Sequence, residues 1–350
     1  MSSFALSAGI TVLICTYNGA KLLPETLKHL AAQEVPAGID WEIVLVSNAS
    51  NDNTMSLASS LWTKLGSNVP LRVLDEPKPG KPFAIERGFA EARYSYICIV
   101  DDDNWLAPNY LALACQIMDE HPQIGALGGA IDAVCEITPP AWFAKYAGHY
   151  AVGKQGERSG DLTLTERFIC GAGCVVRKNA WEKVQRAGFK SLLVKYPGVR
   201  GSGEDVEMCY ALILAGYAIW YDERLHFRHF ISANRLTWNY LHSLYKSNSG
   251  SDVDLRPYRY YLEHNQPVGS MVWLRDAIYS SQNMLKTAWQ EIKRGQFSGA
   301  VEGNSEALAA DYSRWVAKYY LRKQLKGDTS FEQIAAFKIR LQSLPADYQG

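Results

Sequence analysis

Residues 94–103 read Tyr-Ser-Tyr-Ile-Cys-Ile-Val-Asp-Asp-Asp, and within them an apolar run rich in strand formers, Tyr96–Val100, stops at three consecutive carboxylates. A short apolar run bounded by polar residues reads as a buried strand. The same grammar recurs upstream. Ile10–Cys15 runs into Thr16-Tyr17-Asn18-Gly19, Glu42–Ser47 into Asn48-Ala49-Ser50-Asn51-Asp52-Asn53-Thr54, and Leu71–Leu74 into a Pro/Gly-rich loop over 77–82. Helical segments are expected between them. One has Pro24 in its first turn and Leu23, Leu27, Leu30 and Ala31 at helical spacing, and others cover 55–65 and 83–93. Strand and helix in alternation build a mostly parallel sheet with helices on both faces, and such sheets bind ligands at the carboxyl ends of their strands.

Downstream, the spacing predicts a helix over 108–120, small-residue strands around Gly125–Val134, and a strand-like Phe168–Arg177 holding Gly171-Ala172-Gly173. Gly198, Gly201 and Gly203 precede a helix that starts at Glu204 and buries Met208, Cys209, Leu212 and Ile213, with Gly216 placed to end it. Tyr217–Tyr221 is a further strand leading to His226 and His229, and from 236 onward the pattern is helical. The expected division is therefore a sheet-bearing domain over 1–235, in two halves (9–105 and 106–235), and a helical C-terminal region over 236–350.

Composition narrows the function. The chain has 350 residues, 47% of them hydrophobic, and 36 Lys+Arg balance 36 Asp+Glu. That balance argues against a nucleic-acid partner bound through general basicity. Seven scattered cysteines, none in C-x-x-C spacing, indicate neither a disulfide framework nor a zinc cage, and read as reduced cytoplasmic thiols. The first basic residue is Lys21, so no charged segment announces a secretory signal. The uncharged, largely apolar stretch Met208–Tyr221 falls short of the ~20 residues that span a bilayer. The expectation is a cytoplasmic protein.

Three adjacent carboxylates repel one another unless a cation or solvent offsets them. On an extended chain Asp101 and Asp103 would point one way and Asp102 the other. Paired hard oxygen donors suit Mg²⁺ or Mn²⁺ shared with substrate phosphates, although an acidic turn can also be merely solvated. Glu204 and Asp205, with Glu207 nearby, sit in a helix's first turn, where acids commonly complement the dipole. One on a glycine-flexed loop could instead act as a general base. His226 and His229 are candidate nitrogen ligands, and Lys78, Lys81 and Arg87 could neutralise a diphosphate. No G-x-G-x-x-G follows a strand, and no P-loop signature occurs.

Taken in order, Ile14-Cys15-Thr16-Tyr17-Asn18, Asn48-Ala49-Ser50-x-Asp52-x-Thr54, Asp101-x-Asp103, Gly171-Ala172-Gly173, Gly203-Glu204-Asp205 and Ala215-Gly216-Tyr217 before Arg228-His229 resemble the family 2 inverting glycosyltransferases of GT-A fold. The resemblance covers roughly residues 9–232. It implies an α/β GT-A domain that moves a sugar from a nucleotide-diphosphate donor, a UDP-sugar, to a hydroxyl of a saccharide or lipid-linked acceptor. Thr16, Tyr17, Asn18, Ser47 and Asn48 would border the nucleotide, with Lys81, Arg87, Asp101 and Asp102 completing the donor site. Asp101, Asp103 and His229 would hold Mn²⁺ or Mg²⁺. Asp205 would be the base, with Glu204 orienting the acceptor or its loop. Two positions depart from the pattern: Ser47 and Asn104 stand where the family usually has acidic residues.

A phosphotransferase of the haloacid dehalogenase type also ends a strand in Asp-x-Asp, but Trp105 suits it poorly, and a non-catalytic nucleotide-binding protein would not need Asp103 and Asp205. The tail carries Arg314, Lys318, Arg322 and Lys326 beside Trp315 and Tyr319. This is either a basic aromatic face over 314–326 for peripheral contact with the inner face of a membrane, or a face packed on the protein itself or on a second subunit of a homo-oligomer. Acceptor specificity is expected in the loops 132–160 and 190–203.

Overall fold

The computed structural model describes residues 7–194, 201–266, 271–294 and 302–345. Gly198 and most of the segment just before Gly201 lie outside them. The strands and helices alternate as expected through the first hundred residues: β1 (Ser7–Thr16), α1 (Leu23–Ala31), β2 (Trp41–Asn48), α2 (Thr54–Leu65), β3 (Leu71–Glu76), α3 (Lys81–Glu91) and β4 (Tyr94–Val100). There follow β5 (Asn104–Leu106), α4 (Tyr110–Glu120), β6 (Ile124–Cys135), α5 (Phe143–Tyr146), β7 (Gly160–Asp161), β8 (Val175–Arg177) and α6 (Lys178–Arg186). The remainder is α7 (Glu204–Leu214), β9 (Ala218–Ile231), α8 (Trp238–Asp254), α9 (Arg256–His264), α10 (Met271–Arg294), α11 (Ser305–Leu325) and α12 (Ser330–Gln342).

The strands form one sheet in the order β3-β2-β1-β4-β8-β6-β9-β5, with β7 paired to β9. Its first four strands are parallel, so the carboxyl ends of β1, β2 and β4 open on the same edge. Helix α1 shows why the pattern was readable: Leu23, Leu27 and Leu30 recur on one face and are fully buried against a core that includes Val12, Ile14 and Val100.

Two compact units emerge, interleaved along the chain. One comprises residues 1–136, 150–183 and 215–231; the other comprises 137–149, 184–214 and 232–350. The first holds the sheet. In the second, α8, α10, α11 and α12 enclose Val253, Val272, Trp273, Ala277, Tyr319, Tyr320 and Phe331. Lys323 is buried there between Asp254 (2.9 Å) and Asp328 (3.1 Å).

Several expectations change. Of Phe168–Arg177 only Val175–Arg177 is strand. The Gly171–Gly173 segment is an irregular turn, held by Tyr110 donating to the Gly173 carbonyl (2.6 Å) and Gly173 N–H donating to Ile99 (2.9 Å). The strand expected over Tyr217–Tyr221 is one long strand that carries His226 and His229 within it. On the tail helix, Tyr319 and Lys323 are buried, Trp315 packs edge-on against His242, and Arg314 pairs with Asp311. The aromatic part of the supposed membrane face is thus inside the unit, leaving Lys318, Arg322 and Lys326 exposed. No described helix is long and apolar enough to cross a membrane.

Candidate functional site

The acidic triplet does not continue β4. The chain turns at Asp102 and Asp103, and Asn104 N–H donates to the Asp101 carbonyl (3.1 Å), so the alternation of an extended strand does not apply. Each carboxylate has its own neighbour. Asp101 forms an ion pair with Lys81, the first residue of α3 (2.6 Å). Asp102 accepts from the Thr16 hydroxyl at the end of β1 (2.5 Å), while its carbonyl accepts from Thr26 in α1 (2.7 Å). Asp103, 9% exposed, faces the His229 imidazole on β9 at 3.4 Å, and its carbonyl accepts from Phe230 N–H (2.8 Å). Burial pushes the Asp102 carboxyl up to about 7, opposed by the Thr16 hydrogen bond and reinforced by the charges of Asp103 and Asp101.

Asn104 organises this turn, a role its sequence position did not suggest. Its side-chain oxygen accepts from Asp101 N–H (3.0 Å) and its amide donates to Asp103 (3.0 Å). A carboxylate at this position could not make the second bond at neutral pH, because it has no hydrogen to give. Trp105 then anchors β5. It stacks on His29 (5.7 Å) and Phe230 (5.6 Å), with the Arg228 guanidinium 5.5 Å over its ring. Burial and the Arg228 charge hold the His29 imidazole below its usual range.

The ends of β1 and β2 are laced together. Asn18 and Ala49 both adopt left-handed backbone (φ 52°), unusual outside glycine and typical of functional turns. Asn18 N–H donates to Ser50 (3.0 Å), Asn51 N–H to the Asn18 side chain (2.9 Å), and Ala20 N–H to Asp52 (3.2 Å). Gly19 is required here, since a Cβ would lie 2.0 Å from the Thr16 hydroxyl and 2.6 Å from an Asp102 oxygen. Tyr17 is 63% exposed beside this lacing.

Asn48 spends its amide on the following loop: it donates to Glu76 (3.2 Å) and Lys78 (2.7 Å) carbonyls and accepts from Gly80 N–H (2.7 Å). It thereby positions the loop that delivers Lys81. Ser47, buried beside Thr16 in register, has a hydroxyl with no hydrogen-bond partner among the described residues. Arg87 is not brought to the cluster; it pairs with Glu91 at the far end of α3 (3.3 Å). His226 pairs with exposed Asp132 (2.8 Å), apart from Asp103.

Glu204 and Asp205 begin α7, in the second unit. Gly203 precedes them at φ 93°, and a Cβ there would meet Ser251 at 2.8 Å. Asp205 accepts from Val206 N–H (2.9 Å). Glu207 is different in kind: it is buried, and its carboxylate accepts from the Ser191 hydroxyl (2.5 Å) and Leu192 N–H (2.6 Å). Burial pushes its carboxyl up to about 7.

The donor chemistry of Asp101, Asp103 and His229 fits a divalent cation: two carboxylates and an imidazole, of which Asp103 and His229 are already adjacent. Among the described residues no group of three acidic, histidine or cysteine side chains closes around a common point, and Asp101 is turned to Lys81.

The model of Glycosyl transferase family 2 matches residues 11–185, which include every strand end described above except β9. A stretch of 111 residues, 32% of the chain, is 30% identical to the poly(ribitol-phosphate) beta-N-acetylglucosaminyltransferase TarS of Staphylococcus aureus. That stretch spans only 19% of the length of TarS. Among solved structures, the mannosyltransferase PcManGT of Pyrobaculum calidifontis, in complex with GDP-Man and Mn²⁺, superposes with a TM-score of 0.52 at 16% identity, covering 92% of this chain and 91% of its own. S. aureus TarS 1–349 in complex with UDP-GlcNAc gives 0.50 at 16% identity, covering 96% and 91%. At such identities these superpositions establish the shared fold.

Proposed function

The chain belongs to glycosyl transferase family 2, and from that premise we propose that it transfers a sugar, with inversion, from a nucleotide-diphosphate donor to a hydroxyl of a saccharide or lipid-linked acceptor. The observation that carries this reading is the acidic turn at the carboxyl end of β4. It places Asp103 against His229, and Asp101 against Lys81, beside the laced ends of β1 and β2. That edge of a parallel sheet is where ligands of such folds sit.

Thr16, Tyr17, Asn18 and Ser47 would border the nucleotide. Asn48 and Asp102 contribute by holding the 77–80 loop and the Thr16 turn. Lys81 supplies positive charge at the diphosphate. Asp101, Asp103 and His229 would hold Mn²⁺ or Mg²⁺, which when bound offsets the charge that develops on the diphosphate as the sugar leaves. Asp205 would take the acceptor proton, with Glu204 orienting the acceptor; one base opposite one leaving group suits single displacement. TarS in its complex with UDP-GlcNAc supports a UDP-sugar as donor, and the poly(ribitol-phosphate) in the name of TarS supports a polymer as acceptor. Family membership sets aside the haloacid dehalogenase reading, and the assembled turn speaks against a degenerate binding protein.

A thermal-shift panel of nucleoside diphosphates with and without Mn²⁺ tests the donor site. The expected result is stabilisation that needs both the metal and one diphosphate. No shift with any diphosphate, or the same shift when Asp103→Asn replaces the wild type, would refute the placement.

A further inference from the structure

Helix α10 buries Val272, Trp273, Ala277 and Ser280 against its own unit. Its opposite face leaves six large apolar side chains 46–81% exposed: Met271, Leu274, Ile278, Leu285, Trp289 and Ile292. At 100° per residue all six fall within an arc of about 60°. Their spacing along the chain is 3, 4, 7, 4 and 3 residues, which reads the same in both directions and is centred between Ser281 and Gln282.

We propose that this face pairs with its own counterpart on a second copy of the chain, two α10 helices lying antiparallel about a two-fold axis at Ser281–Gln282. A two-fold interface is self-complementary, residue i meeting j while j meets i, and the spacing provides that match: Met271 opposes Ile292, Leu274 opposes Trp289, and Ile278 opposes Leu285. Antiparallel helices also oppose their dipoles favourably. Ser281, a small residue at the centre, leaves room for the helix axes to approach. The six side chains leave roughly 600 Å² open on each copy, so pairing removes about 1,200 Å², at the lower edge of specific interfaces.

The flanking charge makes salt dependence the discriminator between this occupant and a lipid surface. Arg275, Lys286 and Lys293 lie along one side of the face, and Arg275 is already neutralised by Asp276 (2.8 Å). In the antiparallel pair the two lysine flanks meet, a like-charge contact that salt relieves. Adsorption to an anionic bilayer through the same residues would instead weaken with salt. The inference does not depend on the transfer reaction proposed above.

Sedimentation equilibrium of the full chain from about 1 to 100 μM should show a monomer–dimer equilibrium that holds or tightens between 50 and 500 mM salt. Ile278→Glu, on the exposed face, should raise the dissociation constant at least about a hundredfold while leaving unchanged the thermal midpoint measured at about 1 μM or below, where the wild type is largely monomeric. Under mild oxidation Ser281→Cys should form a disulfide-linked dimer that the wild type does not form. Met271→Cys should form none alone but should cross-link when mixed with Ile292→Cys. A chain that stays monomeric at 100 μM overturns the proposal. So do self-linking of Met271→Cys, which marks a parallel pair, and flotation with vesicles of 30% phosphatidylglycerol without dimerisation, which assigns the face to lipid.

Discussion

Glu207 should make the second unit less stable as pH rises, and Glu207→Gln should remove that dependence. Burial lifts its carboxyl from an ordinary 4.5 to about 7, with the charges of Glu204 and Asp254 adding to the rise against the bonds from Ser191 and Leu192. The folded state therefore keeps the proton to a higher pH than the unfolded state does. Its penalty is absent below pH 4.5, grows between 4.5 and 7, and is complete above 7. At 1.36 kcal/mol per pH unit, the ionised group costs ~3 kcal/mol at pH 8. A glutamine keeps an acceptor for Leu192 N–H and supplies a donor to Ser191 without the buried charge. For a cooperative unit of this size the gain corresponds to a midpoint about 6–12 °C higher at pH 8. Differential scanning calorimetry of wild type and variant at pH 5, 6, 7 and 8 reads the difference, which should shrink towards zero as pH falls to 5. A gap that does not change with pH, or a variant less stable than wild type at pH 8, would refute the assignment of a buried, reluctantly ionised Glu207.

Other outcomes follow from the site. Asp205→Asn should abolish sugar transfer while leaving Mn²⁺-dependent binding of the nucleoside diphosphate within about twofold, as read by calorimetry alongside product formation; retained turnover would remove it as the base. Asn104→Asp takes away the amide that Asp103 accepts from and adds a fourth carboxylate, so binding of the diphosphate should weaken about tenfold or more, whereas Asn104→Gln should be milder. Gly19→Ala would force a methyl against the Thr16 and Asp102 side chains. It should cost about 1–3 kcal/mol in thermal unfolding together with a loss of diphosphate binding.

Local pattern revealed much of this architecture because its signals were local. The period of Leu23, Leu27 and Leu30 and the polar run Asn48–Thr54 before α2 were both in the chain itself. What escaped depends on partners far away in sequence. Phe168–Arg177 carries strand-forming residues, but Gly173 takes left-handed backbone (φ 68°) in a turn whose carbonyl Tyr110 binds, so regular pairing with β4 begins only at Val175. The carboxylates of 101–103 were legible as a site, and their geometry was not. Their turn is set by Asn104 and by Thr16, 86 residues from Asp102. Asn48 stood out as a nucleotide contact, and its amide proves to be engaged by the backbone of the 76–80 segment. Arg87 shares a helix with Lys81, yet helical rotation and Glu91 take it elsewhere.

The central claim, transfer with inversion from a nucleotide sugar, can be tested before any acceptor is known, with water in its place. Wild-type protein would be incubated with Mn²⁺ and the α-linked nucleotide sugar whose diphosphate stabilises it best, and the released sugar followed by proton NMR from the first minutes. The β anomer should appear first, the α anomer should grow in only by mutarotation, and Asp103→Asn should release neither. An α anomer formed first, or release undiminished in Asp103→Asn, would contradict it.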